Sequence, residues 1–129
     1  MVEAARRRNR AVIDAGRVQL VQADASSIPW PDGAFSGVLA VNTMQLWEPL
    51  DVAMREVGRV LASGGSLVAL THRWAIEKRA PLSEWIDTTS GLLRRCGLTD
   101  LTHRTATFRS GQGLVLRARM PLDGNPMAP

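Results

Sequence analysis

The apolar positions along the chain fall into alternating helical and extended spacings. Val2, Ala5, Val12 and Ile13 share one helical face, with the arginines mostly elsewhere, which predicts a helix over residues 1–14 stopped by Gly16. Arg17–Gln22 alternates as a strand does and runs into Ala23-Asp24-Ala25. Ser26–Gly33, with two prolines and the turn pair Asp32-Gly33, predicts a loop. Phe35–Val41 is almost wholly apolar, the pattern of a strand covered on both faces in a parallel sheet. Leu50, Ala53, Met54, Val57 and Leu61 make one stripe, predicting a helix from Pro49 to Leu61 that Gly64-Gly65 turns into a strand, Ser66–Thr71. A further helix is predicted over Pro81–Cys96, with Arg94 and Arg95 in its last turn and Gly97 beyond it. Strands near Leu101–Phe108 and Leu114–Met120, joined through Ser110-Gly111-Gln112-Gly113, predict a hairpin. The tail from Pro121 to Pro129 is expected to fray. The order α-β-α-β-α-β-β predicts an α/β layered domain, mostly parallel, with an antiparallel C-terminal hairpin.

Composition narrows the class. At 129 residues, 45% hydrophobic and 22% charged, the chain is one globular domain rather than a disordered tail. No apolar run is long enough to span a bilayer, and no apolar stretch follows the arginines at 6–8 to make a secretory signal, so the cytoplasm is the expected compartment. A lone cysteine, Cys96, excludes an internal disulfide and a cysteine-based zinc site. It falls on an apolar helix face and is expected to be buried and inert. The net charge of +4 is uneven: +3 over residues 1–17, −2 over 18–103, +4 over 104–119 and −1 from Asp123. Arginine clustering alone supports a nucleic-acid-binding module only weakly, since such a run is ordinarily a solvated helix face. The tryptophans are too scattered for a base-stacking platform. His72 and His103 have no carboxylate at ligand spacing and suggest no metal site. His72 is the better placed, because it follows the carboxyl end of a strand, where ligands gather.

Two stretches carry a family pattern. One is Asp24-Ala25-Ser26-Ser27-Ile28-Pro29-Trp30-Pro31-Asp32-Gly33-Ala34-Phe35-Ser36-Gly37-Val38, and the other is Glu56-Val57-Gly58-Arg59-Val60-Leu61-Ala62-Ser63-Gly64-Gly65-Ser66-Leu67. Together they resemble the class I S-adenosylmethionine-dependent methyltransferases that act mostly on small molecules. Met1–Asn9 is similar to the family's helix after its second strand. The resemblance covers most of residues 1–120, taken as an incomplete methyltransferase domain, with 121–129 a flexible tail. It implies a Rossmann-like sheet with the cofactor across the carboxyl ends of its strands. It further implies that Asp24 accepts from the adenine amino group, that the backbone N–H of Ala25 meets the adenine edge, and that Asn42 lies near the methionine part. Gln45 and Trp47 are expected to face the substrate pocket of a small-molecule methyl acceptor. Methyl transfer needs positioning and desolvation more than a dedicated acid or base, so no catalytic residue is assigned.

The family's glycine-rich loop and ribose-holding acid are absent. The one G-x-G, Gly111-Gln112-Gly113, lies between two strands, the wrong context for a nucleotide loop. Ser36 stands where the family usually has Asp, and Ala62-Ser63 replaces a common basic-Pro pair. The resemblance therefore implies that N-terminal strands are missing and that cofactor binding by this chain alone is weakened or lost. Three outcomes stay open for Val18–Gln22. It re-pairs with Phe35–Val41, it exchanges with a second chain to give a homodimer through exposed sheet edges, or the natural gene starts upstream. The alternative function is a non-catalytic methyltransferase remnant acting as an interaction or dimerisation module.

Overall fold

The computed structural model describes residues 1–122. Its sheet has four strands: β1 (Phe35–Val41), β2 (Leu61–His72), β3 (Thr99–Phe108) and β4 (Gly111–Arg119), in the order β1-β2-β4-β3. The helices are α1 (Val2–Arg8), α2 (Arg10–Asp14), α3 (Leu50–Val60), α4 (Arg73–Glu77) and α5 (Leu82–Arg95), with a 3-10 turn at Met44–Leu46. β1 runs parallel to β2, and β4 is antiparallel to both β2 and β3. The parallel part of the sheet is thus a single pair, narrower than the alternation of elements predicts.

The reason is the Arg17–Gln22 segment. It forms no strand and does not re-pair with Phe35–Val41. Alternation supplies a sheet-compatible face, but a strand exists only where a neighbour takes its N–H and C=O groups. The helix expected over 1–14 breaks at Asn9. Its side-chain amide donates to the Ala5 carbonyl at 2.9 Å and its backbone leaves helical angles. Asn competes for backbone partners in just this way. Gly16 stops α2 in the left-handed region, φ 75°, as expected. No residue of α1 or α2 is buried.

β2 starts five residues before the predicted Ser66, because Leu61 already pairs with Phe35. The register then jumps: Gly37 faces Ser66, so residues 62–65 bulge out of the ladder. Gly64 (φ 76°) and Gly65 allow this, and the Gly64 N–H donates to the Met120 carbonyl at 3.0 Å. Two short elements escape the pattern altogether: the Met44–Leu46 turn and α4, whose Ala75 and Ile76 are buried.

The core lies on one side of the sheet. Ala40, Leu67, Ala69, Leu114 and Leu116 pack with Met54, Val57, Trp85 and Leu93 from α3 and α5. Cys96 packs against this cluster, half-buried rather than buried, and burial pushes its thiol pKa up. The two-sided cover expected for β1 is absent among the described residues. Leu39 is 69% and Val41 49% exposed. The frayed tail expected over Pro121–Pro129 falls, from residue 123 on, outside the described residues. No helix among the described residues is long and apolar enough to cross a membrane.

Candidate functional site

The loop before β1 is bolted to α3 by two side chains one helical turn apart. The Ile28 N–H donates to Glu56 Oε2 at 2.7 Å. Arg59 donates from Nη2 to the Ile28 carbonyl (2.8 Å), from Nη1 to the Trp30 carbonyl (2.8 Å) and to Asp32 Oδ1 (2.9 Å), and from Nε to Glu56 Oε1 (2.7 Å). Glu56 and Arg59 neighbour each other on the helix because residues three apart do so. The Arg59 guanidinium, then the Ile28 N–H, holds the Glu56 carboxyl down from its ordinary 4.5 to about 2. Glu56 and then Asp32 hold the Arg59 guanidinium above its already high value. Trp30 leans on Phe35 at 5.6 Å between ring centres, joining the loop to β1.

This clamp presents Asp24 and Ala25 to a cleft of about 610 Å³ that Ile28, Trp30, Thr43 and Trp47 also line. Asp24 Oδ1 accepts from the Ser26 N–H (2.9 Å) and Ser26 Oγ–H (2.7 Å), an Asx turn. Ser26 thereby holds the exposed Asp24 carboxyl below the usual carboxylate range. The second carboxylate oxygen of Asp24 and the N–H of Ala25 have no protein partner among the described residues. An open acceptor thus stands beside an open donor on a cleft that two tryptophans also line.

Trp47 also lines a second cleft, about 520 Å³, with Gln45, Arg79, Glu84 and Trp85. Gln45 Nε2 donates to the Asn42 carbonyl at 3.3 Å, whereas its Oε1 is buried and without a partner among the described residues. The structure therefore brings Asp24, Ala25 and Trp47 together around one cleft and Gln45 with Trp47 around the next. Asn42 lines neither. It turns the chain after β1 in the left-handed region (φ 53°), which Asn tolerates. Its Oδ1 accepts from the His72 backbone N–H at 2.9 Å and lies 2.8 Å from His72 Nδ1. A smaller hollow, about 310 Å³ among Ser66, Asp100 and Arg119, shares no residue with these clefts.

Sequence reasoning missed the Glu56–Arg59 clamp and the partners of His72. An acid and an arginine three apart on a predicted helix were legible as a pair. Their grip on backbone carbonyls 29 and 31 residues away was not. Among the described residues no cluster of three or more His, Cys, Asp or Glu could hold a metal ion.

A family model described as a methyltransferase domain matches residues 1–69, more than half of the chain. The fatty-acid O-methyltransferase of Mycolicibacterium smegmatis is 37% identical over 97 residues, which is 75% of this chain and 32% of that protein. The demethylmenaquinone methyltransferase of Thermus thermophilus is 39% identical over 63 residues, 49% of this chain and 29% of that one. The chain thus spans about a third of the length of these relatives. Among solved structures, the cyclase SpnF superposes with a TM-score of 0.74 at 22% identity, covering 94% of this chain and 63% of that one. A SAM-dependent methyltransferase from Thermotoga maritima superposes with a TM-score of 0.61 at 18% identity, covering 87% and 69%. The strand order, the clamped acidic loop and the matched family model lead to one conclusion: this chain belongs to the class I S-adenosylmethionine-dependent methyltransferases.

Proposed function

We propose that residues 1–122 form the adenine wall and part of the acceptor wall of a methyl-transfer site for a small-molecule acceptor. The observation that carries this is Trp47, which separates the cleft holding Asp24 and Ala25 from the cleft holding Gln45. Two adjoining hollows past the end of β1 suit two reactants that must meet. In this reading Asp24 accepts from the adenine amino group through its open oxygen, and the Ala25 N–H donates to the ring edge. Asn42 shapes the turn beneath the methionine part. The buried Gln45 Oε1 takes a donor from the acceptor, relieving an unpaired polar atom. S-adenosylmethionine, when bound, supplies an electrophilic methyl group on sulfur. The glycine-rich loop and ribose-holding acid are then contributed by chain outside these 129 residues, in keeping with the length of the relatives, and the cofactor holds weakly without them.

The test is a titration of the isotopically labelled chain with S-adenosylhomocysteine, followed by backbone amide NMR. Millimolar ligand is expected to shift Ala25, Ile28, Trp30 and Trp47. Asp24→Asn keeps an oxygen for the Ser26 turn but turns a donor toward the adenine amino group, so it should abolish those shifts. Silence of the wild-type cleft at millimolar ligand overturns the proposal.

A further inference from the structure

We propose that the end of the sheet where α4 meets the β3–β4 turn docks on the surface of an anionic lipid bilayer, through Leu46, Trp74, Phe108 and the cations around them. The inference goes beyond the methyl-transfer reading and does not rest on it.

Large apolar side chains stand in the open together at this end. Leu46 is 62% and Trp74 57% exposed, and both line one hollow of about 450 Å³. Leu46 closes the 3-10 turn after β1. Trp74 is the second residue of α4, a helix that buries Ala75 and Ile76 instead. The β3–β4 turn adds a third. His72 Nε2 lies 2.7 Å from Ser110 Oγ, and the His72 ring lies 6.0 Å from that of Trp74, so the turn adjoins α4. Phe108, 39% exposed, leads into that turn with its ring beside Gly113, the residue that pairs with His72 across β4 and β2. Single apolar residues on a surface are ordinary, whereas a group of them rimmed by charge marks an interaction surface.

The rim selects the partner. Lys78, Arg79 and Arg109 are exposed and make no ion pair among the described residues. Arg73 is neutralised by Glu77 at 3.3 Å. Glu48 and Glu84 share the neighbouring cleft with Arg79 but pair with it in neither case. No acid is among the residues that line the hollow between Leu46 and Trp74. Lys78 Nζ stands 5.0 Å from the Trp74 ring centre. An indole with a lysine beside it suits the boundary of a bilayer, where the ring meets the acyl chains and the ammonium the headgroups. A nucleic acid would pair the cations and leave Leu46 in water; an anionic bilayer takes both kinds of group. The helix α1 carries as many arginines, but its apolar residues are Val2, Ala4 and Ala5, with little to insert.

The test is co-sedimentation of the whole chain with vesicles, in the absence of cofactor. The chain should sediment with vesicles of equal phosphatidylglycerol and phosphatidylcholine and not with phosphatidylcholine alone. Lys78→Ala combined with Arg79→Ala should bind about 25-fold more weakly, roughly fivefold for each cation near an anionic surface. Trp74→Ser should bind about tenfold more weakly, from the exposed part of one large apolar side chain. Arg7→Ala combined with Arg8→Ala, two unpaired cations of α1, should lose about twofold at most. Bromine-labelled lipid should quench wild-type tryptophan fluorescence, and Trp74→Phe should lose that quench. Failure of the wild type to sediment with the mixed vesicles overturns the proposal. So does an equal loss in the Arg7 and Arg8 variant, or an oligonucleotide held through Lys78 and Arg79 by a chain that ignores vesicles. None of these readouts involves S-adenosylhomocysteine, so the docking surface and the methyl-transfer site can fail separately.

Discussion

Replacing Glu56 by Gln isolates the charge that ties the acidic loop to α3. The wild-type carboxyl is held down from 4.5 to about 2, chiefly by Arg59 and then by the Ile28 N–H. A carboxyl whose pKa falls on folding stabilises the native state above its unfolded value and loses that contribution as pH drops toward its folded value. The window is therefore about pH 5 down to about 2. Full linkage sets a ceiling of roughly 3 kcal/mol, about 2 of it gone by pH 3. The side chains of Glu56 and Arg59 are 18% and 31% exposed, so solvent screening reduces the loss. About 1 kcal/mol between pH 6 and pH 3 is the expected net, near 4 °C in melting temperature for a domain of this size. Urea unfolding of wild type and Glu56→Gln at both pH values reads it directly. Asp24 and the other carboxylates remain in both proteins, so their share cancels in the comparison. The wild type should lose about 1 kcal/mol more than the variant on acidification. Parallel losses would refute the clamp.

Other expectations follow from packing and backbone space. Leu67→Ala, at a fully buried position of β2, should cost about 2–5 kcal/mol in urea unfolding. Leu39→Ser, on the bare face of β1, should stay within about 0.5 kcal/mol; a large loss there would mean that the face is covered. Gly65→Ala would put its Cβ 2.9 Å from the Ala62 carbonyl oxygen and 3.1 Å from that of Ser36, both backbone, so destabilisation of about 1–3 kcal/mol is expected in the same assay. Gly91→Ala, inside α5 with nothing within 4 Å of the new methyl, should instead raise the melting temperature, by the roughly 0.5–1 kcal/mol that separates the two residues in a helix.

Elements whose hydrogen-bond partners lie close along the chain could be read from residue order alone. The helices at Leu50–Val60 and Leu82–Arg95 fall within a residue of their apolar stripes, because helix hydrogen bonds and the stripe's spacing are both local. Phe35–Val41 and the β3–β4 hairpin were legible for a similar reason: a dense apolar run and a short glycine turn. Asp24 and Trp47 could be singled out because a motif fixes their order, and the clefts they line lie beside that motif. Features that need a distant partner emerged only in the folded chain. Arg17–Gln22 has strand-like alternation and no strand, since a ladder requires a neighbour that no alternation reveals. Asn42, marked for the cofactor by its place after β1, gives its oxygen to His72, 30 residues away. His72, set aside for want of a nearby carboxylate, acquires Asn42 and, 38 residues on, Ser110. Spacing along a chain encodes the hydrogen bonds that close within a few residues; those that close across a sheet depend on which strands lie side by side.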